Sequence, residues 1–363
     1  MLAKQKSSQQ ESLSMTKRGI DDIDPKELTL ISLLLPGIVG AMKIAPPPPE
    51  PKPPTVQGKH HHTTAKQIND LLEIPEGSPE MGFMTRLLTL CSLPRTDPKD
   101  LKEYIRKNGP YTLGMTAGIQ NRLPYGNLPR LLLAWMCTEI VKTQRRELQL
   151  GHSLAAFMRE LGMLSDSGGS RADRTRLRNQ IDRLFNAHVQ LIYETPGRKR
   201  TISSTVADET DLWWDYKAPT QDTLWQSRIV IGERLFQEII ENPVPLDMRI
   251  LKAMRRSSLG LDLYMWLSYK TYSLLNATGP KSQKLSWHQL YIQFGKDPAA
   301  VADKDTVQNF RKDAMRELKK LKLCWPTLDY KMPKGFLEIR GCLPSIPPKA
   351  IGDNGAGKRV ERR

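Results

Sequence analysis

The sequence lacks the cysteine pattern of a secreted or zinc-binding protein. Its four cysteines, Cys91, Cys137, Cys324 and Cys342, show no C-x-x-C spacing, and no histidine pair stands near them at the spacing of a zinc site. This pattern favours reduced structural thiols over a disulfide framework and is typical of a cytoplasmic protein. We therefore expect a cytoplasmic chain that needs no metal or other cofactor.

The sequence also lacks a hydrophobic run of the length that crosses a bilayer. The apolar stretch 28–42 (LTLISLLLPGIVGAM) is too short and has Pro36 and Gly37 at its middle. The acidic residues before it do not fit the positive flank of a signal peptide. We interpret it as a docking segment, or as sequence upstream of a true start at Met15 or Met42, and expect no membrane partner.

Acidic residues are in short supply, since 55 lysines and arginines face 39 aspartates and glutamates and leave a net charge of +16. Such an excess destabilises a compact fold by self-repulsion unless a polyanion offsets it. By charge alone, the partner is nucleic acid or an anionic membrane, and since no membrane partner is expected, nucleic acid is the predicted one. A basic surface without any polyanion remains the alternative.

Motifs of catalysis are missing as well. Residues 352–358 (GDNGAGK) fit G-x-x-x-x-G-K, but Arg359 follows where a phosphate loop needs Ser or Thr. The histidines show no H-E-x-x-H spacing, and the three at 60–62 fit a solvated tract. Asp211 and Asp215 flank LWW without a partner pattern. We expect no enzyme. A DNA-nicking activity, which would need an exposed nucleophilic tyrosine or a carboxylate cluster, is the alternative.

Composition divides the chain into four parts. Residues 1–80 contain the polyproline stretch APPPPEPKPP and are predicted to be a disordered arm. Residues 349–363 are predicted to be a basic tail. Between them, the two prolines of ENPVPLD mark a boundary between residues 81–241 and residues 242–348.

One short helical pattern occurs in both of these parts. Counted from Ser153 and from Ser286, apolar residues follow at +1, +4, +5 and +8 and a glycine at +9. Ser153 is a candidate N-cap, and Gly162 is the expected C-terminal stop of its helix. The offset of 133 residues continues without a gap into the next helix, where Leu177 matches Phe310. The repetition indicates an internal duplication.

The order of predicted elements repeats too. A long helix (128–144, then 259–275) precedes the serine helix, and a basic helix and a two-stranded hairpin follow it. Helix-turn-helix plus β-hairpin is the plan of the winged helix, which docks in the major groove of DNA. The predicted fold class is therefore α+β, with tandem winged-helix domains.

A helical wheel assigns DNA-contacting candidates on the two basic helices. Arg183 and Arg316 match by register and are both expected to face outward, because the apolar residues form the opposite stripe. The arginine fork reads guanine and asparagine reads adenine, so the predicted base readers are Asn179, Arg183, Asn309 and Arg316. Predicted phosphate contacts are Arg171, Arg176, Arg178, Lys312, Lys319 and Lys320, with Thr175 and Arg311 as further DNA candidates.

The hairpin tips supply the remaining candidates. They are Arg198, Lys199 and Arg200 in the first hairpin and Lys331 and Lys334 in the second, expected to follow the backbone or minor groove. A basic outer face is often merely solvated, which is the competing interpretation of each helix alone. Two such helices, each third in a three-helix unit and each followed by a basic hairpin, favour DNA.

Several long motifs resemble one protein family. YGNLPRLLLAWMCTEIVKTQRRELQLG, TRLRNQIDRLFNA, LGLDLYMWLSYKTY, LSWHQLYIQFG and NFRKDAMRELKKLKLCWPTLDY are similar, in order, to plasmid-encoded RepA replication initiators of bacteria. The resemblance covers about residues 83–348, with NPVPLDMRILKA and the late PSIPP included. Related initiators are similar to tandem winged-helix proteins, which agrees with the duplication.

The resemblance implies a function in plasmid replication and copy control. Such a protein binds double-stranded DNA at its plasmid origin, often at repeated sites, promotes strand opening, and works with the host replication initiator and the replicative helicase. The sequence leaves open whether the protein is a homodimer or a monomer. The alternative is a winged-helix transcriptional repressor, of its own gene or of others, without a role in initiation.

Overall fold

The structure, a computed structural model, describes residues 80–118, 121–151, 153–163, 171–213, 227–296 and 302–346. The apolar segment 28–42, the arm up to residue 79 and the tail 349–363 lie outside the described residues. The described part is a mixture of helices and antiparallel strands, in agreement with the α+β class at this coarse level.

We call residues 81–241 the first half and residues 242–346 the second half. The first half contains, in order, β1 (Met81–Thr85), α1 (Arg86–Leu90), β2 (Glu103–Asn108), β3 (Tyr111–Thr116), α2 (Asn127–Thr143), β4 (Glu147–Gln149), α3 (Leu154–Glu160), α4 (Arg171–Phe185), β5 (His188–Thr195), β6 (Arg198–Thr205), β7 (Ala207–Asp211), β8 (Arg228–Ile231) and α5 (Glu233–Glu241). The second half contains β9 (Pro243–Asp247), α6 (Met248–Met254), α7 (Ser258–Leu275), β10 (Ser282–Ser286), α8 (Trp287–Phe294), α9 (Lys304–Cys324), β11 (Tyr330–Lys331) and β12 (Phe336–Arg340).

The strands of the described residues form four small antiparallel sheets. Their strand orders are β1-β9, β2-β3-β5-β6, β4-β8-β7 and β10-β12-β11. In the second half, β10 precedes α8 and pairs with β12 of the following hairpin. In the first half, β4 precedes α3 but pairs with β8, while the hairpin β5–β6 extends a sheet with β2 and β3. The two halves therefore repeat an order of elements but not a sheet topology.

The repeated serines both begin helices, as capping chemistry predicts for Ser153. The Ser153 hydroxyl accepts a hydrogen bond from the backbone N–H of Ala156 at 3.4 Å. The Ser286 hydroxyl accepts one from the N–H of Gln289 at 3.2 Å, and the Gln289 side chain accepts from the N–H of Ser286 at 2.8 Å. This reciprocal pair is a capping box, which satisfies two of the free N–H groups at the start of α8.

The repeated apolar positions are all buried. In α3 and α8 and just beyond them these are Leu154, Phe157, Met158 and Leu161, then Trp287, Leu290, Tyr291 and Phe294. In α4 and α9 they include Leu177, Ile181 and Phe185, then Phe310, Ala314 and Leu318. The buried residues of α3 and α4 in the first half thus correspond, through the 133-residue offset, to the buried residues of α8 and α9 in the second half.

Apart from residues 277–279, the described residues belong to one compact unit. Strand β1 from the first half pairs with β9 from the second, with Met81 opposite Asp247. Helices α2 and α7 are joined by a buried ion pair, in which Arg130 Nε lies 2.6 Å from Asp262 Oδ1. The predicted boundary between residues 241 and 242 therefore falls within a unit in which both halves contact each other.

Candidate nucleic-acid interface

Helix α9 presents a basic surface opposite its buried stripe. Its N-terminus is capped by Asp303, which accepts a hydrogen bond from the N–H of Thr306 at 2.6 Å, and this bond lowers the pKa of Asp303. Because Phe310, Ala314 and Leu318 anchor the opposite side, the outward side is solvated. The exposed candidates on it, which we call the α9 face, are Asn309, Lys312, Arg316 and Lys319.

Arg316 is the most prominent cation of the α9 face. Its side chain is 61% exposed and lies 3.0 Å from Asp313 Oδ1 and 3.5 Å from Glu317 Oε1. Glu317 also lies 3.4 Å from Lys320, whose side chain is half-buried. These acids orient Arg316 in the free protein, and the sequence analysis did not identify them. The i,i+3 spacing of Asp313 and Arg316 is the sequence feature that could have predicted their ion pair.

Arg311 differs from the other cations of α9. Its guanidinium lies 5.9 Å from the centre of the Trp287 ring, and the residue is half-buried. Cation–π contact of this kind stabilises the packing of one helix on another. Arg311 therefore helps to hold α9 on α8, whether or not it also reaches a phosphate.

Helix α4 carries the corresponding surface of the first half. Thr175, Arg176, Arg178 and Asn179 are exposed, and we call them the α4 face. Arg176 is 61% exposed and lies 3.5 Å from Asp173. Arg171 begins the helix, but its side chain lies outside the described residues.

The prediction that Arg183 faces outward is wrong. Its side chain is only 8% exposed and lies 3.7 Å from Asp97. Its guanidinium donates to the carbonyl of Leu123 at 3.3 Å and lies 5.1 Å from the centre of the Tyr125 ring. A base reader must reach a groove edge, so Arg183 cannot have that role in this arrangement.

The physical reason is that the segment around residues 123–125 covers one flank of α4. Gln180, also buried, accepts a hydrogen bond from the N–H of Tyr125 at 2.9 Å, one turn before Arg183. The buried side of α4 is therefore wider than its apolar stripe. Helical periodicity counts apolar residues only and does not reveal a polar flank covered by another segment.

The two hairpins place their predicted cations in solvent. Gly197, with φ of +84°, forms the turn of β5–β6, and Gly335, with φ of +83°, lies in the turn before β12. Both conformations favour glycine. The exposed cations beside these turns are Arg198, Lys199, Arg200, Lys331 and Lys334.

Two of the hairpin cations lie within ion-pair distance of acids of the same chain. Lys199 lies 3.5 Å from Glu194 across the hairpin, and Arg200 lies 3.8 Å from Glu241 of α5. These pairs are exposed and therefore weak, so a phosphate can displace the acids.

A buried acid lies in the helix that supports the first hairpin. Glu238 of α5, which packs against β6, is only 2% exposed, and neither carboxylate oxygen accepts a hydrogen bond from the described residues. Burial raises the pKa of Glu238 to about 7, although the positive charges of Arg86 and Arg200 act in the opposite direction. The charge of this carboxyl therefore changes near neutral pH.

Two negative structural findings apply to the described part of the chain. None of its helices is long and apolar enough to span a membrane. Within the same residues, no group of three or more His, Cys, Asp or Glu side chains is arranged so that it could hold a metal ion.

Comparison with known proteins finds a similarity to one family in the central part of the chain. Residues 123–289 match the family described as plasmid encoded RepA protein. This region begins just before α2, includes α4 and ends within α8. The resemblance to plasmid-encoded RepA proteins is therefore confirmed over these residues. No curated protein matches the chain.

Two solved structures of RctB domains are similar to the chain. One, of selenomethionine derivatives of domain 2 and domain 3, has 13% identity and a TM-score of 0.43 over 71% of this chain and 96% of that chain. The other, of domains 2–3, has 13% identity and a TM-score of 0.43 over 70% of this chain and 96% of that chain.

Proposed function

We propose that the protein is a plasmid replication initiator that binds double-stranded origin DNA in a sequence-specific way. The match of residues 123–289 to the family described as plasmid encoded RepA protein is the main support for this proposal, because the matched region contains α4. The exposed cations of the α4 face and the α9 face fit a polyanionic partner, and the net charge of +16 agrees with them.

The DNA-binding elements are two winged-helix units. The first consists of α2, β4, α3, α4 and the hairpin β5–β6, and the second of α7, β10, α8, α9 and the hairpin β11–β12. The pairing of β10 with β12 supports the second unit, because it joins the strand before α8 to the wing. In the first unit β4 pairs with β8 instead, so this unit departs from the simple plan.

Recognition is divided between bases and phosphates. Asn179, Asn309 and Arg316 read base edges, because their amide and guanidinium groups match the patterns of adenine and guanine. Phosphate contacts come from the hairpin cations and from Arg171, Arg176, Arg178, Lys312, Lys319 and Lys320. Thr175 and Arg311 are further DNA-contacting residues. Arg183 has no part in base recognition.

The protein acts by binding and remodelling, without catalysis or a cofactor, and works in the cytoplasm. As the resemblance to RepA initiators implies, the protein promotes origin opening. Its further partners are the host replication initiator and the replicative helicase, which it recruits. Self-association into a homodimer belongs to the same proposal. Incubation of supercoiled origin plasmid with Mg²⁺ tests the absence of catalysis, since nicked circles would reveal a DNA-cleaving enzyme.

A footprint on the parent plasmid tests the proposal directly. Two recognition helices should protect two successive major grooves whose centres are roughly 10 bp apart. Protection of a single groove would contradict the tandem arrangement. Deletion of the gene from its plasmid separates initiation from repression, because loss of replication supports an initiator and altered expression alone indicates a repressor.

A further inference from the structure

The C-terminal end of α8 is held by the first half of the chain. A helix leaves its last four carbonyls without partners inside the helix. At the end of α8 the carbonyls of residues 292–294, and that of the C-cap Gly295, each accept a hydrogen bond from a side chain of residues 92–106. The donors are Arg106 to Ile292 at 2.8 Å, Ser92 to Gln293 at 2.9 Å, Arg95 to Phe294 at 3.2 Å and Arg106 to Gly295 at 2.8 Å.

Arg106 makes the central contribution to this set of bonds. It is fully buried, and its Nε donates to the hydroxyl of Tyr104 at 2.8 Å, which in turn donates to the carbonyl of Ser92 at 3.1 Å. The hydrogen-bond acceptors of Arg106 are neutral oxygens. The positive charge of its guanidinium is therefore stabilised by the negative end of the α8 dipole. A buried cation of this kind requires that all these bonds remain formed.

The connection between the halves is reciprocal. The side-chain amide of Gln293 in α8 donates to the carbonyl of Leu90 in α1 at 2.9 Å, in a buried position. A second connection is the ion pair of Arg130 with Asp262, in which Arg130 Nη2 also lies 2.8 Å from Asp262 Oδ2. Each carboxylate oxygen of Asp262 thus faces one guanidinium nitrogen, the bidentate geometry that fixes orientation as well as distance.

Helix α9 follows the position of α8. The rings of Tyr291 and Phe310 are 5.7 Å apart, centre to centre, in an edge-to-face arrangement. Arg311 covers Trp287 on the same side. Any shift at the end of α8 is therefore transmitted to α9 through packed aromatic side chains.

We propose that Arg106 is a positioning residue for DNA recognition. It fixes α8, and through α8 the α9 face, relative to the half of the chain that carries α4, and so sets the spacing of the two DNA segments that can be read together. This inference rests on the proposed function, because spacing matters only if both helices contact DNA. The hold of Arg106 on α8 is nevertheless a property of the free protein.

Hydrogen exchange on the free protein tests that hold. Arg106→Met removes the cation and its three bonds, and Lys107→Met, an exposed neighbour on the same strand, is the matched control. We expect amides of α8 and early α9 to exchange about tenfold faster or more in Arg106→Met, with α4 unchanged and the control like wild type. Unchanged exchange in α8 and α9, or an equal rise throughout α4, would overturn the proposal.

Binding to DNA of altered spacing tests the consequence. An insertion of about 5 bp, half a helical turn, between the two protected segments should weaken wild-type binding. Arg106→Met should lose about tenfold in affinity for DNA of the natural spacing but little for the DNA with the insertion. The ratio of the two affinities should therefore be smaller for this variant than for wild type. An unchanged preference in the folded variant contradicts the role in spacing.

The two tests separate this inference from the proposed function. If the wild-type protein prefers origin DNA no more than random DNA, the proposed function fails, and hydrogen exchange still decides whether Arg106 holds α8. If Arg106→Met does not fold, Ser92→Ala removes one neutral bond to the same helix end. It should change exchange in α8 in the same direction by a smaller factor, and no change there counts against the proposal.

Discussion

At the scale of single residues, two arginines in the same register have opposite environments. Arg183 is packed against Tyr125 and Asp97, whereas Arg316 is 61% exposed on the α9 face. The neighbouring position shows why the halves differ: Leu184 is an apolar core residue, but its counterpart Glu317 is a buried acid that draws Arg316 and Lys320 toward it. Register predicts which residues correspond, and the covering segments determine which of them reach solvent.

Arg316→Ala should weaken binding to origin DNA by about 1–3 kcal/mol and relax base choice at one position of the site. The reason is that a guanidinium which contacts O6 and N7 of guanine contributes both affinity and discrimination. Affinity should be measured on a panel of single-base variants of the site. Arg145→Ala, which removes an exposed charge outside both faces, should leave base choice unchanged. An equal loss on every DNA sequence would mean that Arg316 contacts phosphate only.

Glu238 should make folding less favourable as pH rises from about 4.5 to about 7. Its pKa is raised from 4.5 in the unfolded chain to about 7 in the fold, so the native state binds the extra proton in this interval. The contribution of Glu238 to the free energy of unfolding is fully present below pH 4.5 and is lost as the pH rises through 7. The total loss is about 3 kcal/mol.

Urea unfolding of Glu238→Gln at pH 5 and pH 8 measures this effect. The variant should lose less stability than wild type between the two pH values, because an amide does not ionise. Glu233→Gln, on the same helix with a side chain that is 51% exposed in wild type, should behave like wild type. Equal losses in Glu238→Gln and wild type would rule out the buried carboxyl as the source.

At the scale of elements, the sequence predicts the long, serine and basic helices of both halves and the hairpin after each basic helix. It does not predict helices α1, α5 and α6, nor the hairpin β2–β3. Gly109-Pro110 supplies a turn signal between strands β2 and β3. The alternation beside it is misleading, because Arg106 faces the interior while Ile105 is 54% exposed. A strand whose buried side holds a charged residue does not show the alternation of apolar and polar residues that predicts strands.

The glycines that follow the two serine helices show a similar limit of sequence patterns. Gly162 has φ of +69°, as expected at a helical C-terminus, and a Cβ there would lie 3.1 Å from Cγ of Lys252. Gly295 has φ of −61° and is needed for a different reason, because a Cβ would lie 2.5 Å from the carbonyl oxygen of Tyr291. The same residue in the same register therefore serves two different packing arrangements.

The two serine caps should differ in strength. Ser286→Ala should lower the free energy of unfolding by about 1 kcal/mol, since it breaks a capping box, and Ser153→Ala by less, since its hydrogen bond is 3.4 Å long. Denaturant unfolding of both variants beside wild type gives the comparison. A larger loss for Ser153→Ala would show that hydrogen-bond geometry does not rank these caps.

At the scale of the whole molecule, charge is unevenly distributed over the described surface. Around the sheet β4-β8-β7, Arg228 is paired with Glu147, Glu209 and Asp211, and Arg146 with Asp208 and Glu233. These five carboxylates exceed the two arginines that they contact. The faces of α4 and α9 and the hairpin tips, in contrast, carry exposed lysines and arginines, as do further positions of the described chain. A polyanion should therefore bind on the side of the recognition helices rather than at this sheet.

That distribution predicts a steep dependence of DNA binding on salt. If six to ten phosphates are contacted, affinity should fall by about 10³–10⁵ between 50 and 200 mM salt, because each contact releases condensed counterions. Lys312→Ala should weaken binding to all DNA sequences alike and reduce the slope of log affinity against log salt by about 1. Glu147→Gln, at the acidic sheet, is the control and should leave the slope unchanged. A wild-type slope near that of one or two contacts would mean that only one of the two helix faces reaches DNA at a time.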